Sequence, residues 1–300
     1  MNWASMAVLS AAIMGIVSVL DSHLISRRMP SLRALLLPAG VLHLCYGLVT
    51  LAVFPLPAGV GIWPVLAAAA SGILRTVAVL LMFNLLTREE VSRVVPVVYT
   101  YPVLVAIMAV PLLGETLGYL QWLAILVVVA GAVIISVEKR PPGVTGSVGR
   151  PFLLLFVSSL CIALGDIASK YALNTISFWN GFSLAAICMS VIFLLFSLRP
   201  QVLRSLRDMP RRNSSLGLLL FNEAIAPVGI VCSFWAIERG PVSLVSTIVG
   251  SRPIFVAVYS LILGRFLPDF LIKSTSKGVL VVRLMATAMI VGGIAIIYLM

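Results

Sequence analysis

Five ionisable side chains lie within long apolar stretches of the sequence. Placing a charge in hydrocarbon costs about 2.5–3.5 kcal/mol on insertion scales, so each such group needs a charged partner, water or a ligand. A guanidinium can bind a carboxylate or a phosphate, and a carboxylate shielded from water can carry a proton. The chemistry that these residues support is therefore ion binding and proton transfer. They are Asp21, Arg75, Asp166, Glu223 and Arg252.

Arg75 lies near the centre of its apolar stretch and shares a predicted helix face with Ser71 and Gly72. This face of small residues suits close helix packing or an open cavity. Two interpretations follow for Arg75. It either binds the carboxylate or phosphate of a substrate, or it forms a structural ion pair with Glu223 or Asp166.

Two prolines at equivalent positions are each preceded by a polar residue. Tyr101 precedes Pro102, and Arg252 precedes Pro253, 151 residues further along the chain. A proline within a spanning helix frees a carbonyl and bends the helix axis, which turns neighbouring groups toward a cavity. We therefore expect Tyr101 and Arg252 to form two walls of one substrate site. Arg252 is also too far from either end of its stretch to reach the lipid headgroups.

Glu223 and Asp166 are the residues predicted to couple transport to protons or ions. Glu223 follows Asn222, which we place in the substrate site, and precedes Pro227, a third predicted kink. With an arginine nearby Glu223 would be half of a salt bridge, and without one it would carry a proton. Asp166 has Lys170 at i+4, so a local ion pair is its simplest interpretation.

Four other polar residues have structural interpretations. Asp21 is close enough to the end of its stretch to be ordinary polarity at the membrane interface. Glu115 follows a predicted helix end, where capping of the turn is more probable than substrate contact. His43 and Tyr99 are lone polar groups in apolar helices, and we expect both to be packed in the core with a satisfied hydrogen bond.

The elements that must position these groups are membrane-spanning helices. Hydrophobic residues make up 61% of the chain and charged residues 10%, and the mean hydropathy is +1.15, as in integral membrane proteins. A spanning helix needs about 20 mostly apolar residues. The sequence predicts an all-α membrane protein with ten transmembrane helices. These span residues 3–20, 34–54, 62–86, 94–113, 117–137, 152–173, 176–198, 215–237, 242–264 and 279–300.

The formal net charge of +11 reflects membrane topology and not nucleic-acid binding. Of the 21 Lys and Arg residues, 17 fall on one side of the ten-helix arrangement, in alternate loops or, for Arg283, near the end of a span. The positive-inside rule then places the loops after odd-numbered helices in the cytoplasm and both termini outside. Two histidines, and four cysteines within apolar stretches, predict neither a metal site nor a cofactor.

An internal repeat relates the two halves of the sequence. A shift of 151 residues places Phe83 on Phe234 and Pro102 on Pro253. The predicted units are residues 1–138 and 152–300, joined by a polar linker at 139–151. Because five helices is an odd number, the second unit must enter the membrane with the opposite orientation. Such inverted repeats are typical of alternating-access transporters.

The stretch 91–117 resembles the EamA domain of the drug/metabolite transporter (DMT) superfamily. The resemblance rests on Pro102 in the fourth helix, the pair Gly114-Glu115 at its end and Gly131 late in the fifth helix. It implies a ten-helix carrier for amino acids, other metabolites, nucleotide sugars or lipid precursors.

The second half resembles the same domain less closely. Pro253, Gly264 and the pair Gly292-Gly293 match the pattern, but Arg265 stands where the family has a glutamate.

The function that we expect is secondary active transport of a small polar metabolite, such as an amino acid or another carboxylate- or phosphate-bearing solute, by alternating access. Coupling of this transport to protons is a subsidiary hypothesis. A flippase for a lipid-linked head group is the alternative with the same fold. A membrane-embedded transferase or hydrolase is less favoured, because the acidic residues are scattered over many helices.

We expect a multi-pass protein of a prokaryotic cytoplasmic (inner) membrane, whose partners are a small-molecule substrate and the lipid bilayer, with no nucleic acid. The oligomeric state is left open, a monomer included.

Overall fold

The computed structural model describes residues 2–86, 97–136, 149–266 and 277–299, and within these ranges it contains helices and no β-strand. The first helix, Trp3–His23, continues directly into a π-helical turn, Leu24–Arg28. The predicted linker lies largely outside the described residues, although its last residues already belong to a helix. The helices are α1 Trp3–His23, α2 Leu32–Val53, α3 Ile62–Leu86, α4 Tyr101–Leu113, α5 Tyr119–Ser136, α6 Gly149–Leu173, α7 Phe178–Ser197, α8 Pro200–Arg207, α9 Arg212–Arg239, α10 Val242–Val249, α11 Arg252–Phe266 and α12 Lys277–Leu299.

Seven of the described helical segments have the length and hydropathy of membrane spans. One of these segments, Val242–Leu263, combines α10 and α11. Three shorter apolar helices, Tyr101–Leu113, Tyr119–Ile135 and Leu284–Leu299, add to the seven. The prediction of an all-helical membrane architecture therefore agrees with the structure, while the count of ten spans stays a prediction.

Polar side chains at the helix starts explain where several spans begin. Asn2, Ser31 and Ser177 cap α1, α2 and α7, because the side-chain oxygen of each accepts a hydrogen bond from a backbone N–H in the first turn. At the other end of a helix, Gly114 terminates α4 in the left-handed conformation with φ 68°.

The helices pack in pairs that follow an approximate two-fold pattern. α2 packs against α7, α5 packs against α12, and α4 packs against α10. The pairing of α3 with α6 is matched by that of α9 with α1. Small residues allow these contacts: a Cβ added to Gly131 of α5 would lie 2.8 Å from the carbonyl oxygen of Ala286 in α12. Each predicted half is thus packed mainly against the other.

Two helices start at the matched prolines. A turn at residues 99–100 precedes α4, and Gly250 and Ser251 separate α10 from α11. Pro102 and Pro253 are the second residues of α4 and α11, where a missing N–H breaks no helical hydrogen bond. At these two prolines the helix is therefore interrupted, whereas the sequence predicts a kink within a continuous helix. Pro227, in contrast, lies inside the continuous helix α9.

Candidate functional site

Arg75 and Asp166 form an ion pair between α3 and α6. Arg75 Nη2 lies 2.6 Å from Asp166 Oδ1 and also donates to the Ser169 hydroxyl at 3.4 Å. The guanidinium carbon lies 5.3 Å from the centroid of the Phe234 ring. The carboxylate side chain is 6% exposed and that of Arg75 is 23% exposed. Of the two interpretations of Arg75, the structure shows the ion pair with Asp166.

The second carboxylate oxygen of Asp166 is also satisfied. The Ser246 hydroxyl on α10 donates to Asp166 Oδ2 at 2.5 Å. The Tyr101 hydroxyl on α4 donates to the backbone carbonyl of Ser246 at 3.1 Å. One network thus joins α3 and α4 from the first predicted half to α6 and α10 from the second. Because both oxygens of Asp166 are engaged, this carboxylate primarily holds helices together.

The interpretation of Asp166 and Lys170 as a local ion pair is wrong. Lys170 Nζ instead donates to the backbone carbonyls of Ile237 at 2.8 Å and Gly240 at 2.9 Å, and also contacts that of Glu238. It therefore caps the C-terminal end of α9, where unpaired carbonyls attract a cation. Because Lys170 donates to the end of α9, Asp166 pairs with Arg75 of α3 instead.

A second polar cluster joins α1, α2 and α9. Asn222 Nδ2 donates to Asp21 Oδ1 at 2.8 Å. Glu223 Oε2 lies 3.2 Å from His43 Nδ1, and these side chains are 10% and 8% exposed. His43 Nδ1 forms its hydrogen bond with the carbonyl oxygen of Ala39 at 2.8 Å. Asp21 therefore belongs to a protein-facing cluster and is not simply an interface residue, as we had expected from its position.

Several buried polar atoms in these clusters have no hydrogen-bond partner among the described residues. A buried polar atom without a partner costs about 1–3 kcal/mol, so a set of them indicates that water or a ligand is bound there. Asn222 is 1% exposed and yet its side-chain oxygen is unpaired. The atoms in or beside the clusters are Tyr46 Oη, Arg75 Nε, Asn222 Oδ1, Glu223 Oε2 and Arg252 Nε.

Arg252 interacts electrostatically with both clusters. Arg252 is the first residue of α11 and follows the interruption between α10 and α11 at residues 250–251. It is within electrostatic range of Asp21 in one cluster and of Tyr101 in the other, and it also interacts with Tyr99. Among the residues that the structure describes, Arg252 belongs to no ion pair within 4 Å, and its buried Nε has no hydrogen-bond partner. Its charge is therefore available to an anion.

Glu115 caps a helix, as expected, but the helix lies in the other half of the chain. Its carboxylate accepts hydrogen bonds from the backbone N–H groups of Val242 and Ser243 and from the Ser243 hydroxyl. These groups form the N-terminal end of α10, where a carboxylate is favourable. Glu115 is thus a structural contact between α4 and α10.

An open groove of about 360 Å³ lies between α3, α4 and α6, apart from the ionisable residues. Its lining is apolar, and none of the charged side chains described above contributes to it. In the described part of the chain no three His, Cys, Asp or Glu side chains are grouped as metal ligands would be. The groove is lined by Ala67, Leu74, Leu112, Leu113, Leu164, Ile167, Ala168 and Tyr171.

The two clusters contain residues to which sequence reasoning gave no functional role. His43 and Asp21 had structural interpretations, and neither Tyr46 nor Ser246 was singled out. The only signal in the sequence was that His43 and Asp21 are ionisable groups in apolar stretches. Nothing local to the chain indicates that Glu223, 180 or more residues away, lies beside them.

Comparison with known families decides what kind of protein carries this arrangement. The model of the EamA-like transporter family matches residues 1–137 and 150–299. The chain belongs to the EamA-like transporter family. This family is part of the DMT superfamily, which confirms the resemblance found in the sequence. The protein is therefore an integral, multi-pass membrane transporter of the drug/metabolite type.

A solved structure shares the EamA-like fold of this chain. It is described only as "Crystal structure of protein", and it matches with a TM-score of 0.69 and 18% sequence identity over 99% of this chain and 95% of its own. At this level of identity the similarity shows the fold alone. No curated protein matches the chain.

Proposed function

We propose that this EamA-like protein is a secondary active transporter that moves a small carboxylate- or phosphate-bearing metabolite by alternating access. The observation that carries the proposal is the Arg252 guanidinium, which has no ion-pair partner among the described residues and lies at the start of α11. An anion placed there would be bound by a charge-assisted hydrogen bond.

Two helix N-termini support an anionic substrate at this position. α4 begins at Tyr101 and α11 begins at Arg252, and Arg252 is within electrostatic range of Tyr101. The N-terminus of a helix carries a partial positive charge and unpaired N–H groups. Transporters with discontinuous helices use such half-helix ends to bind the anionic groups of their substrates. Tyr101, Arg252 and Asn222 are the proposed substrate-binding residues.

The architecture that we propose is ten transmembrane helices in two inverted five-helix repeats. The three shorter apolar helices complete the seven longer spans. The equivalent pairings of α3 with α6 and α9 with α1 are those that a two-fold axis in the membrane plane would produce. The protein is proposed to lie in a prokaryotic cytoplasmic membrane with both termini outside. Rocking of the two halves would expose the site to each side in turn.

The test of the proposed function is solute uptake by purified protein in proteoliposomes, comparing amino acids, dicarboxylates and sugar phosphates. We expect Arg252→Gln to reduce uptake of the active solute by roughly 10- to 100-fold, since a hydrogen bond to a charged group contributes about 1.5–3 kcal/mol. Arg239→Gln is the matched control, because Arg239 lies at the end of α9 beside Trp235 and Glu238. Equal uptake by the wild type and Arg252→Gln would contradict the proposed role of Arg252.

The apolar groove between α3, α4 and α6 favours one alternative, a flippase for a lipid-linked head group. An acyl chain could lie in the groove, next to Leu74, while the head group binds to the neighbouring Arg75. Ligand binding to the folded state raises the unfolding temperature. Stabilisation by polyprenyl phosphate, with none by amino acids or sugar phosphates, would favour the flippase over the metabolite carrier.

A further inference from the structure

We propose that Asp21 and Glu223 together bind a single exchangeable proton, which is carried on Glu223 and is held more tightly when an anionic substrate binds to Arg252. This inference rests on the proposed transport function and names its coupling site. The sequence predicts that both Glu223 and Asp166 couple transport to protons or ions. The present inference assigns coupling to Glu223 and not to Asp166, which joins helices.

The charges around Arg252 do not balance when all the carboxylates are ionised. Asp166 is matched by Arg75, which lies 2.6 Å away. Asp21 interacts with Glu223, with the guanidinium of Arg252 and with His43. When His43 is neutral, the two negative charges of Asp21 and Glu223 face the one positive charge of Arg252. An unmatched charge within a membrane is costly. Binding one proton to the pair removes the excess charge.

The hydrogen bonds indicate which carboxylate holds the proton. Asp21 Oδ1 accepts the side-chain N–H of Asn222, a bond that stabilises the ionised form of Asp21. Glu223 Oε2 is buried, in a side chain that is 10% exposed, and accepts no hydrogen bond from the described residues. Protonation converts Glu223 into a neutral acid and costs it no existing bond at this oxygen. The proton therefore belongs on Glu223.

The groups that surround the pair come from every helix packed against α1 and α9. His43 faces Glu223 through Nδ1, which carries the hydrogen of its bond to the Ala39 carbonyl, so this nitrogen cannot accept the proton of Glu223. Asp166 from α6 is held by Arg75 and Ser246. The remaining titratable or charged groups are Tyr46 of α2, Arg252 and Tyr259 of α11, and His23 of α1, to which Arg28 of the π-helical turn donates a hydrogen bond.

Substrate and proton should bind cooperatively because both act through Arg252. An anion bound to Arg252 neutralises the charge that otherwise compensates Asp21 and Glu223. The pair then holds a proton more tightly, and by thermodynamic reciprocity a bound proton increases the affinity for the anion. The expected mode of transport is therefore symport of one proton with the anion.

Infrared difference spectroscopy of the purified protein tests the proton site without a substrate. Between about pH 5 and pH 9, outside the range in which exposed carboxylates titrate, we expect a protonated-carboxyl signal that rises as pH falls. The signal should be absent in Glu223→Gln and unchanged in the matched control Glu238→Gln. Retention of the full signal in Glu223→Gln, or its absence from the wild type, would overturn the proposal.

Proteoliposomes that contain a pH-sensitive dye test the coupling, with radiolabelled glutamate and glycerol phosphate as probes. The wild type should accumulate the transported probe when the outside is acidic and should acidify the lumen as it does so. Glu223→Gln should lose both effects but still exchange labelled for unlabelled probe across the membrane, which shows that the variant is folded. Asp21→Asn serves as the second variant and should weaken the dependence of uptake on the proton gradient.

Uptake by the wild type without proton movement would overturn this inference and leave the proposed transport function standing. Movement of no solute at all would count against the transport function itself.

Discussion

The environments of three carboxylates differ at the level of single atoms. Asp166 has a partner on each oxygen, Arg75 on one and Ser246 on the other. Glu223 has one oxygen without a hydrogen bond, and Asp21 has an amide donor. A carboxylate with two strong partners is held ionised, while one without them can exchange a proton. The structure thus distinguishes a carboxylate that joins helices from the pair to which we assign the exchangeable proton.

The Arg75–Asp166 pair should show strong coupling in a double-mutant cycle. Removing either partner leaves a buried charge unpaired, so Arg75→Gln and Asp166→Asn should each lower the free energy of unfolding by about 3–5 kcal/mol. The double variant should lose less than the sum, with a coupling energy of about 0.5–3 kcal/mol. Denaturant unfolding in detergent measures all four proteins. Strict additivity would mean that the pair contributes no mutual stabilisation.

At the scale of helices, close packing and helix capping hold the two halves against each other. Glu115 at the end of α4 caps α10, and Lys170 near the end of α6 caps α9. Glu238, at the end of α9, accepts a hydrogen bond from the backbone N–H of Phe178 at the start of α7. These caps join termini that are far apart in the sequence. They replace the hydrogen bonds that helix ends cannot form internally, which is essential where water is scarce.

The contact of α3 with α7 should tolerate no side chain at Gly72. An added Cβ would lie 2.5 Å from the Ala185 carbonyl oxygen and 2.6 Å from its Cα, so the two helices must separate. We expect Gly72→Ala to lower the free energy of unfolding by about 1–3 kcal/mol. The matched control is Gly217→Ala in α9, where an added Cβ meets nothing within 4 Å. This control should be neutral or more stable by up to about 1 kcal/mol, because alanine favours helix more than glycine. Equal stabilities for the two variants would contradict the packing argument.

At the scale of the whole molecule, exposed basic residues gather at one end of the helix bundle. The loop and short helix between α7 and α9 carry Arg199, Arg204 and Arg207, all exposed, while Val202 of the same short helix is buried against the core. The connection between α6 and α7 carries no basic residue, and Lys170 lies before it in α6. This asymmetry predicts that the α7–α9 connection is cytoplasmic and that the α6–α7 connection is outside.

Cysteine labelling tests this orientation and, with it, the inverted arrangement of the halves. In a variant without the four native cysteines, Asn174→Cys should react with a membrane-impermeant maleimide applied to intact cells. Arg204→Cys should react only after permeabilisation. Both positions are exposed, so both should be labelled in permeabilised cells, which controls for reactivity. The opposite pattern would reverse the topology, and labelling of both positions in intact cells would contradict the number of spans between them.

The sequence by itself determined that this protein is helical, lies in a membrane and belongs to the EamA-like family. These conclusions depend on hydropathy along single segments and on a local motif around Pro102 and Glu115, and both can be read without knowing which segments touch. The sequence also identified Arg75 and Arg252 as charges that need an explanation, because their cost in an apolar environment is a property of each residue alone.

Only the tertiary structure decided which groups satisfy those charges. Arg75 pairs with Asp166 across 91 positions of sequence, and Asn222 bonds to Asp21 across 201. The i+4 spacing made Lys170 the obvious partner of Asp166, but the side chain of Lys170 caps α9 instead. Contacts between helices have no fixed sequence separation, since they depend on how the helices pack. The pairing of Asp166, the isolation of Arg252 and the proximity of His43 to Glu223 therefore became visible only when the helices were assembled.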